Sequence, residues 1–461
     1  MAAAGLAAGT VASAAASAAG GLGARVVAGG RRRALGPGLA GPPRRCRWLC
    51  GLAPKPQPPV STVAAALPRS QIRVVMELAW AAERAGRKIF HLEVGQPDLA
   101  APQDAVAAAK HALDDPASWR YCPNLGELAT RRRAAEFVQQ RTGCPTAAED
   151  MMVGIGVSGC LSVVMSALLD VGDEILVPDP IWPNIDMTPR LLGARPIAYR
   201  TPATRGFMPD PGEIEALITP RTKAVYICTP CNPTGKVMPR DMMEELVRLC
   251  VDRNVFLISD EIYGEIIFDP ALQQSSCLSA MTSCDASEHV IWLGGVSKAL
   301  AMTGFRVGFV RAPRRLIPLL EKNQEALVSC GVPFAQRGAV AAFAGSAPSA
   351  IEAAVRTYGS RRDLAVKTLA ESGLPLPRAL VPEGAFYMLV PCGPRGSADR
   401  SEQVALELLE AEGVACAPGG NFGREAENFL RVAFATADDD VREGVARLAA
   451  FLARRGAAAW W

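Results

Sequence analysis

From Ile72 onward the chain alternates between two hydrophobic periods. Ile72–Gly86 carries apolar residues at helical spacing and reads as an amphipathic helix. From about Met151, short apolar runs alternate with helical stretches. The runs Glu174–Val177, Thr222–Thr229, Val255–Ser259, Val290–Leu293 and Val307–Val310 predict strands. Between and after them, Gly159–Leu169, Arg240–Asp252 and Pro313–Leu327 predict helices. This alternation points to an α/β fold whose large domain is built on a mostly parallel sheet covered by helices on both faces. From Pro348 the pattern shifts to long helices, Ser349–Ser372 and Ser401–Glu412, around a few short strands. A second, smaller layered domain is therefore expected near the C-terminus.

Residues 1–67 break this pattern. They are rich in Ala, Gly, Arg and Pro, and no Asp or Glu precedes Glu77, whereas Arg25, Arg31, Arg32, Arg33, Arg44, Arg45 and Arg47 do. An acid-free, arginine-bearing leader fits an organellar transit peptide, plastid or mitochondrial. A bipartite leader and a disordered tail without an address are the alternatives. The uncharged run up to Ala24 is mostly Ala and Gly and lacks a basic start, which suits neither a membrane span nor a signal peptide. No membrane association is expected.

Composition narrows the function classes. A chain of 461 residues with 49% hydrophobic and 21% charged residues has room for two ordinary domains and falls in the range of soluble enzymes. The net charge is only +3 and the basic residues form no single stripe, which argues against a nucleic-acid partner. The 13 cysteines follow no disulfide framework and read as free thiols. His91, His111 and His289 lie far apart, so no metal site is expected. Cys228 and Cys231 form one C-x-x-C, a weak redox or zinc signal without a second pair.

The chemistry gathers in short runs at predicted strand ends. Gly295-Val296-Ser297-Lys298 is followed by Arg306 eight positions on. A lysine amine held partly deprotonated can form an imine with an aldehyde, and a nearby arginine can grip a phosphate. Taken alone, such a pair is more often a solvated face. Asp260, in Ser259-Asp260-Glu261-Ile262-Tyr263, closes an apolar strand, where open α/β sheets place ligand groups. As a bland alternative it is a helix cap beside a packed Tyr263. Thr229-Pro230-Cys231-Asn232-Pro233-Thr234-Gly235 forms a tight turn presenting Asn232. Gly154-Ile155-Gly156-Val157-Ser158-Gly159 opens a helix, whose first amides suit a phosphate. Trp182, in Asp179-Pro180-Ile181-Trp182-Pro183, either stacks on a planar ring or packs in the core. Arg431 sits among apolar neighbours in Phe429–Ala433 and needs a partner, for which a carboxylate is suited.

Together these runs resemble class I and II aminotransferases, and the resemblance extends from about Ile72 to Phe451. It implies the pyridoxal 5′-phosphate (PLP) transferase fold of type I. Its domain limits here would be an N-terminal arm with part of the small domain over 68–115, a large PLP-binding domain over 116–347 and a small C-terminal domain over 348–461. The resemblance makes Lys298 the Schiff-base lysine and proton carrier. Arg306 and the Val157 and Ser158 amides become phosphate contacts, and Ser297 a cofactor-binding residue beside Lys298. Asp260 becomes the partner of the cofactor ring nitrogen, Asn232 and Tyr263 the donors to its ring oxygen, and Trp182 the stacking aromatic. Gly95, in Gly95-Gln96-Pro97-Asp98, and Arg431 would bind the substrate, Arg431 its α-carboxylate. Tyr121, before Pro123-Asn124-Leu125-Gly126, resembles a tyrosine that reaches the partner subunit's cofactor phosphate, which implies a homodimer.

The implied reaction moves an amino group between an L-amino acid and a 2-oxo acid. A lyase acting by β-elimination on the same fold is the nearest alternative, because reaction choice depends on pocket detail. A non-catalytic PLP-sensing regulator is the alternative of another class, and the N-terminal segment shows no helix-turn-helix pattern to support it. No second arginine matches a motif for dicarboxylate side chains, so the sequence does not name the amino-group donor.

Overall fold

A computed structural model describes residues 59–273, 275–393 and 400–456. Most of the expected leader, residues 1–58, lies outside them. Its last part includes the short helix Thr62–Ala66, capped by the Ser61 hydroxyl and without a buried residue. Contacts group Val60–Trp461 into one compact unit.

The strands, in chain order, are β1 Phe90–His91, β2 Met151–Ile155, β3 Glu174–Asp179, β4 Arg195–Arg200, β5 Thr222–Cys228, β6 Phe256–Asp260, β7 Val290–Gly295, β8 Val307–Arg311, β9 Tyr387–Pro391, β10 Val414–Ala415, β11 Ala417–Pro418 and β12 Phe429–Ala433. Seven of them form one sheet in the order β2-β8-β7-β6-β5-β3-β4. Its neighbours pair in parallel except where β8 meets β2 and β7. Along β5 and β6, alternate residues feed opposite faces. Val225, Ile227 and Leu257 enter one hydrophobic cluster, and Ala224, Tyr226 and Ile258 enter another. Burial on both faces is why these strands read as continuous apolar runs.

Helices supply the covers. Arg240–Asp252 buries Met243, Leu246, Val247 and Cys250, one stripe at helical spacing. Truncating such a residue, as in Leu246→Ala, costs about 2–5 kcal/mol in a packed core. The helix expected at Gly159–Leu169 begins earlier, spanning Gly156–Leu168. The one expected from Pro313 runs Ile317–Val328.

A separate three-stranded antiparallel sheet has the order β11-β12-β9. The helices Ala347–Glu371 and Asp438–Arg454 pack against each other beside it. The N-terminal segment joins this layer. β1 pairs with β10, Phe90 opposite Val414, and Val75, Ala79 and Leu92 share a core with Leu408, Phe434 and Leu448. Among the described residues, no single helix is long and apolar enough to cross a membrane.

Candidate active site

Because β2, β3, β5, β6 and β7 are parallel, their carboxyl ends meet at one edge of the large sheet. β8 runs the other way, so its amino end comes to the same edge. Arg306 immediately precedes β8, Asp260 ends β6, and Gly156 follows β2. Trp182, Asn232 and Lys298 lie in the loops leaving β3, β5 and β7. One antiparallel strand thus lets a residue before a strand join residues that follow strands, at the edge where open α/β sheets bind ligands.

Lys298 is partly buried and its Nζ donates to the Gly95 carbonyl at 2.8 Å. Burial, reinforced by the positive charges of Arg431 and Arg306, lowers its pKa to about 8, with Asp260 pulling the other way. Its Nζ lies 5.7 Å from the Tyr263 ring centre and 5.9 Å from that of Phe386. The Tyr263 and Tyr387 hydroxyls share a hydrogen bond of 2.8 Å. Gly95 lies so close to Tyr387 that a Cβ there would collide with the phenol oxygen. Absence of a side chain at Gly95 therefore lets the backbone reach both Lys298 and Tyr387.

Asp260 is buried at the end of β6. Its Oδ1 accepts from the Ile262 amide at 3.1 Å and its Oδ2 from the Tyr226 hydroxyl at 3.0 Å. Burial pushes its pKa up to about 6, opposed by these two hydrogen bonds and by Lys298. The adjacent Glu261 turns elsewhere, accepting from the Cys277 amide at 2.8 Å and the Trp292 indole at 3.1 Å.

Arg431 projects from β12 of the smaller sheet into this cluster. It is 3% exposed. Its Nη1 donates to Asn232 Oδ1 at 3.1 Å and its Nη2 to the Glu93 carbonyl. The guanidinium carbon lies 4.5 Å from the Tyr387 ring centre and 4.9 Å from that of Phe422. No carboxylate pairs with it among the described residues, and its buried Nε has no acceptor. A buried guanidinium without an anion is costly, so Arg431 is suited to an anion brought from outside.

A second positively charged corner lies at the start of the helix Gly156–Leu168. Gly156 adopts φ +64° and packs so tightly on Arg306 that a Cβ would collide with Nη2. Its amide donates to the Arg306 carbonyl at 2.9 Å. No side chain caps this helix, so the Val157 and Ser158 amides at its first turn are free of intrahelical bonds. Arg306 is exposed, and its Nη1 donates to the Thr303 carbonyl at 3.1 Å.

The remaining candidates are placed differently. Ser297 is buried beside Lys298, and Trp182 is half-buried against the hydrophobic cluster of its sheet face. Tyr121 is 87% exposed. Cys228 and Cys231 are free thiols flanking the Asn232 turn. Among the described residues, no cluster of three metal-binding side chains occurs.

Comparison with known proteins gives this geometry its family. The sequence model described as aminotransferase class I and II matches residues 87–448. The chain belongs to the class I and II aminotransferase family. An aspartate/prephenate aminotransferase of Thermus thermophilus is 32% identical over 373 residues, covering 80% of this chain and 93% of the relative. An arginine–pyruvate transaminase of Pseudomonas aeruginosa is 33% identical over 364 residues, covering 79% and 90%. The solved structure of a Thermus thermophilus aspartate aminotransferase with maleate superposes with a TM-score of 0.79 at 30% identity, covering 86% of this chain and all of that one. The aminotransferase is thus an amino-group-transferring enzyme with the aspartate aminotransferase-like fold.

Three residues of this aminotransferase site escape a reading of the sequence. Tyr226 and Tyr387 are buried residues of β5 and β9, where a tyrosine looks like any core aromatic. Glu93 contributes through its carbonyl, and a backbone role leaves no mark on residue type. The one available signal was positional: Tyr226 precedes Cys228 by two residues and so shares its face of β5.

Proposed function

We propose that this aminotransferase transfers an amino group between an L-amino acid and a 2-oxo acid with PLP held by Lys298. The observation that carries the reading is the pairing of a lysine of depressed pKa with a buried, anion-less Arg431 and a buried Asp260 at one sheet edge. These residues fit the cofactor. Lys298 offers an amine with no carboxylate partner among the described residues, Asp260 offers a carboxylate suited to a ring N–H, and Arg306 with the uncapped helix start suits a phosphate.

When bound, PLP supplies an electron sink for the charge left on the substrate carbon. The protein's residues do the rest. Arg431 binds the α-carboxylate through its planar fork. Lys298 removes the α-proton and returns it at a different atom, acting as base and then acid. Asp260 holds the ring-nitrogen proton. Asn232 and Tyr263 donate to the ring oxygen, and Arg306 with the Val157 and Ser158 amides holds the phosphate. Ser297 would support the Lys298 turn, Trp182 would stack on the cofactor ring, and the Gly95 backbone, packed against Tyr387, would line the substrate pocket.

The same reading includes a homodimer. Tyr121 and Trp119 are 87% and 69% exposed, and an exposed aromatic pair suits a contact with a second copy in which Tyr121 reaches the partner's phosphate site. It also includes an organelle-directing leader in residues 1–67, supported by their acid-free, arginine-bearing composition.

The test is the visible absorption of PLP-supplied protein as single amino acids are added. Loss of the lysine-bound cofactor band and its return with a 2-oxo acid support transamination and identify donors. Accumulation of pyruvate and ammonia without a second substrate assigns a lyase instead. Protein that develops no cofactor band rejects the PLP reading.

A further inference from the structure

Tyr226 and Asp260 lie on neighbouring parallel strands, β5 and β6, with Cys228 opposite Asp260 and Tyr226 opposite Ile258. Tyr226 is 1% exposed, and its ring belongs to the apolar cluster on that face of the sheet. Phenylalanine would satisfy that packing. A buried hydroxyl costs stability unless it is bonded, and this one donates to Asp260 Oδ2 at 3.0 Å. The strand is braced from the other side, because the Tyr226 carbonyl accepts from the buried Tyr199 hydroxyl at 2.9 Å.

Each Asp260 oxygen therefore has one protein donor, the Ile262 amide on Oδ1 and the Tyr226 phenol on Oδ2. Two fixed donors set the plane of the carboxylate and leave a lone pair on each oxygen for an incoming N–H. We infer that Tyr226 is a positioning residue for this reaction: it orients Asp260 and favours its ionised form against the cofactor ring nitrogen. The inference rests on the PLP reading given above.

The electrostatics agree. Burial raises Asp260 to about 6, and the Tyr226 hydrogen bond works against that rise. Burial also lifts the Tyr226 phenol well above its ordinary value, so it stays protonated and available as a donor. The other groups facing Asp260 are Glu261 next on the chain, which disfavours its charge, and Lys298 beyond β7, which favours it. Cys160, Cys228 and Cys231 face it too; burial pushes the Cys160 thiol up, and the hydrogen bond between Cys228 and Cys231 raises the first and lowers the second.

The test uses Tyr226→Phe, which removes only the hydroxyl, and reads two quantities. In apoprotein with ¹³C-labelled aspartate, assigned by loss of a signal in Asp260→Asn, the Asp260 carboxyl should titrate about one pH unit higher than in the unaltered chain. The affinity of Tyr226→Phe apoprotein for PLP should fall about five-fold at pH 6 and hardly at all at pH 8, because ionised Asp260 is scarce only at the lower pH. In an Asp260→Asn background, Tyr226→Phe should lose its effect on PLP affinity. An unchanged Asp260 titration overturns the inference, as does an equal affinity loss in the Asp260→Asn background, which would mark Tyr226 as structural. Unaltered protein that captures no PLP rejects the cofactor reading, and the apoprotein titration still decides whether Tyr226 controls Asp260.

Discussion

Arg431 Nη1 donates to Asn232 Oδ1 at 3.1 Å, tying a strand of the small sheet to a loop of the large one. The bond also orients the Asn232 amide. Its oxygen is engaged, so its NH₂ is the end left to donate to a ligand oxygen. The same guanidinium donates to the Glu93 carbonyl and lies close to both the Tyr387 and the Phe422 ring.

Replacing Arg431 by Lys keeps the charge and loses the planar fork. Truncating a buried charged hydrogen-bond partner costs about 2–5 kcal/mol, so kcat/KM should fall at least about 30-fold. The lysine-bound cofactor absorbance should persist. Steady-state kinetics beside a spectrum check this, and an unchanged kcat/KM would remove Arg431 from the carboxylate site.

Lys298→Ala should abolish multiple turnover and the lysine-bound absorbance together. In the unaltered apoprotein, capture of PLP requires the neutral amine. With a pKa near 8, the neutral fraction falls about ten-fold per pH unit below that value and levels off above it. Stopped-flow capture rates should rise with pH in that way and flatten above pH 8. A profile still rising steeply at pH 10 would show an ordinary lysine.

On the proposed reading, Asp260→Ala removes the charge that would hold the ring-nitrogen proton and leaves Lys298 in place. Loss of a preorganised electrostatic partner typically costs about 10²–10³-fold in kcat. The expected outcome is that loss with the cofactor band still formed. Near-normal kcat would exclude Asp260 from ring-nitrogen contact.

Gly95→Ala places a methyl group against the Tyr387 phenol. Relief requires movement of Tyr387 or of the backbone that holds Lys298, and overpacking of this kind costs about 1–3 kcal/mol. Urea unfolding should show that loss. Activity should fall more than stability alone explains, because the Gly95 carbonyl accepts from Lys298.

Strands buried on both faces were the most legible part of this chain. Those around β5, β6, β7 and β8 appear as apolar runs because almost all of their residues are buried, Lys223 near the start of β5 being the exposed one. β4 did not, since it is an edge strand with Arg195 and Arg200 exposed. The direction of β8 was also hidden: its apolar run is the same whichever way the strand points, and orientation comes from pairing with distant β2 and β7.

The sequence by itself determined the alternation that makes the α/β sheet. It also supplied the short motifs around Lys298, Asp260, Asn232 and Arg431, because these positions carry residue types that packing alone does not select. Only the tertiary structure decided which of those groups touch. Arg431 reaches Asn232 across 199 positions of chain, and Tyr226 reaches Asp260 across 34. Such pairings depend on strand order and direction, which long-range packing chooses and no local pattern encodes. The same holds for the depressed Lys298 pKa, since its causes are burial and charges brought in from β12 and from the start of β8.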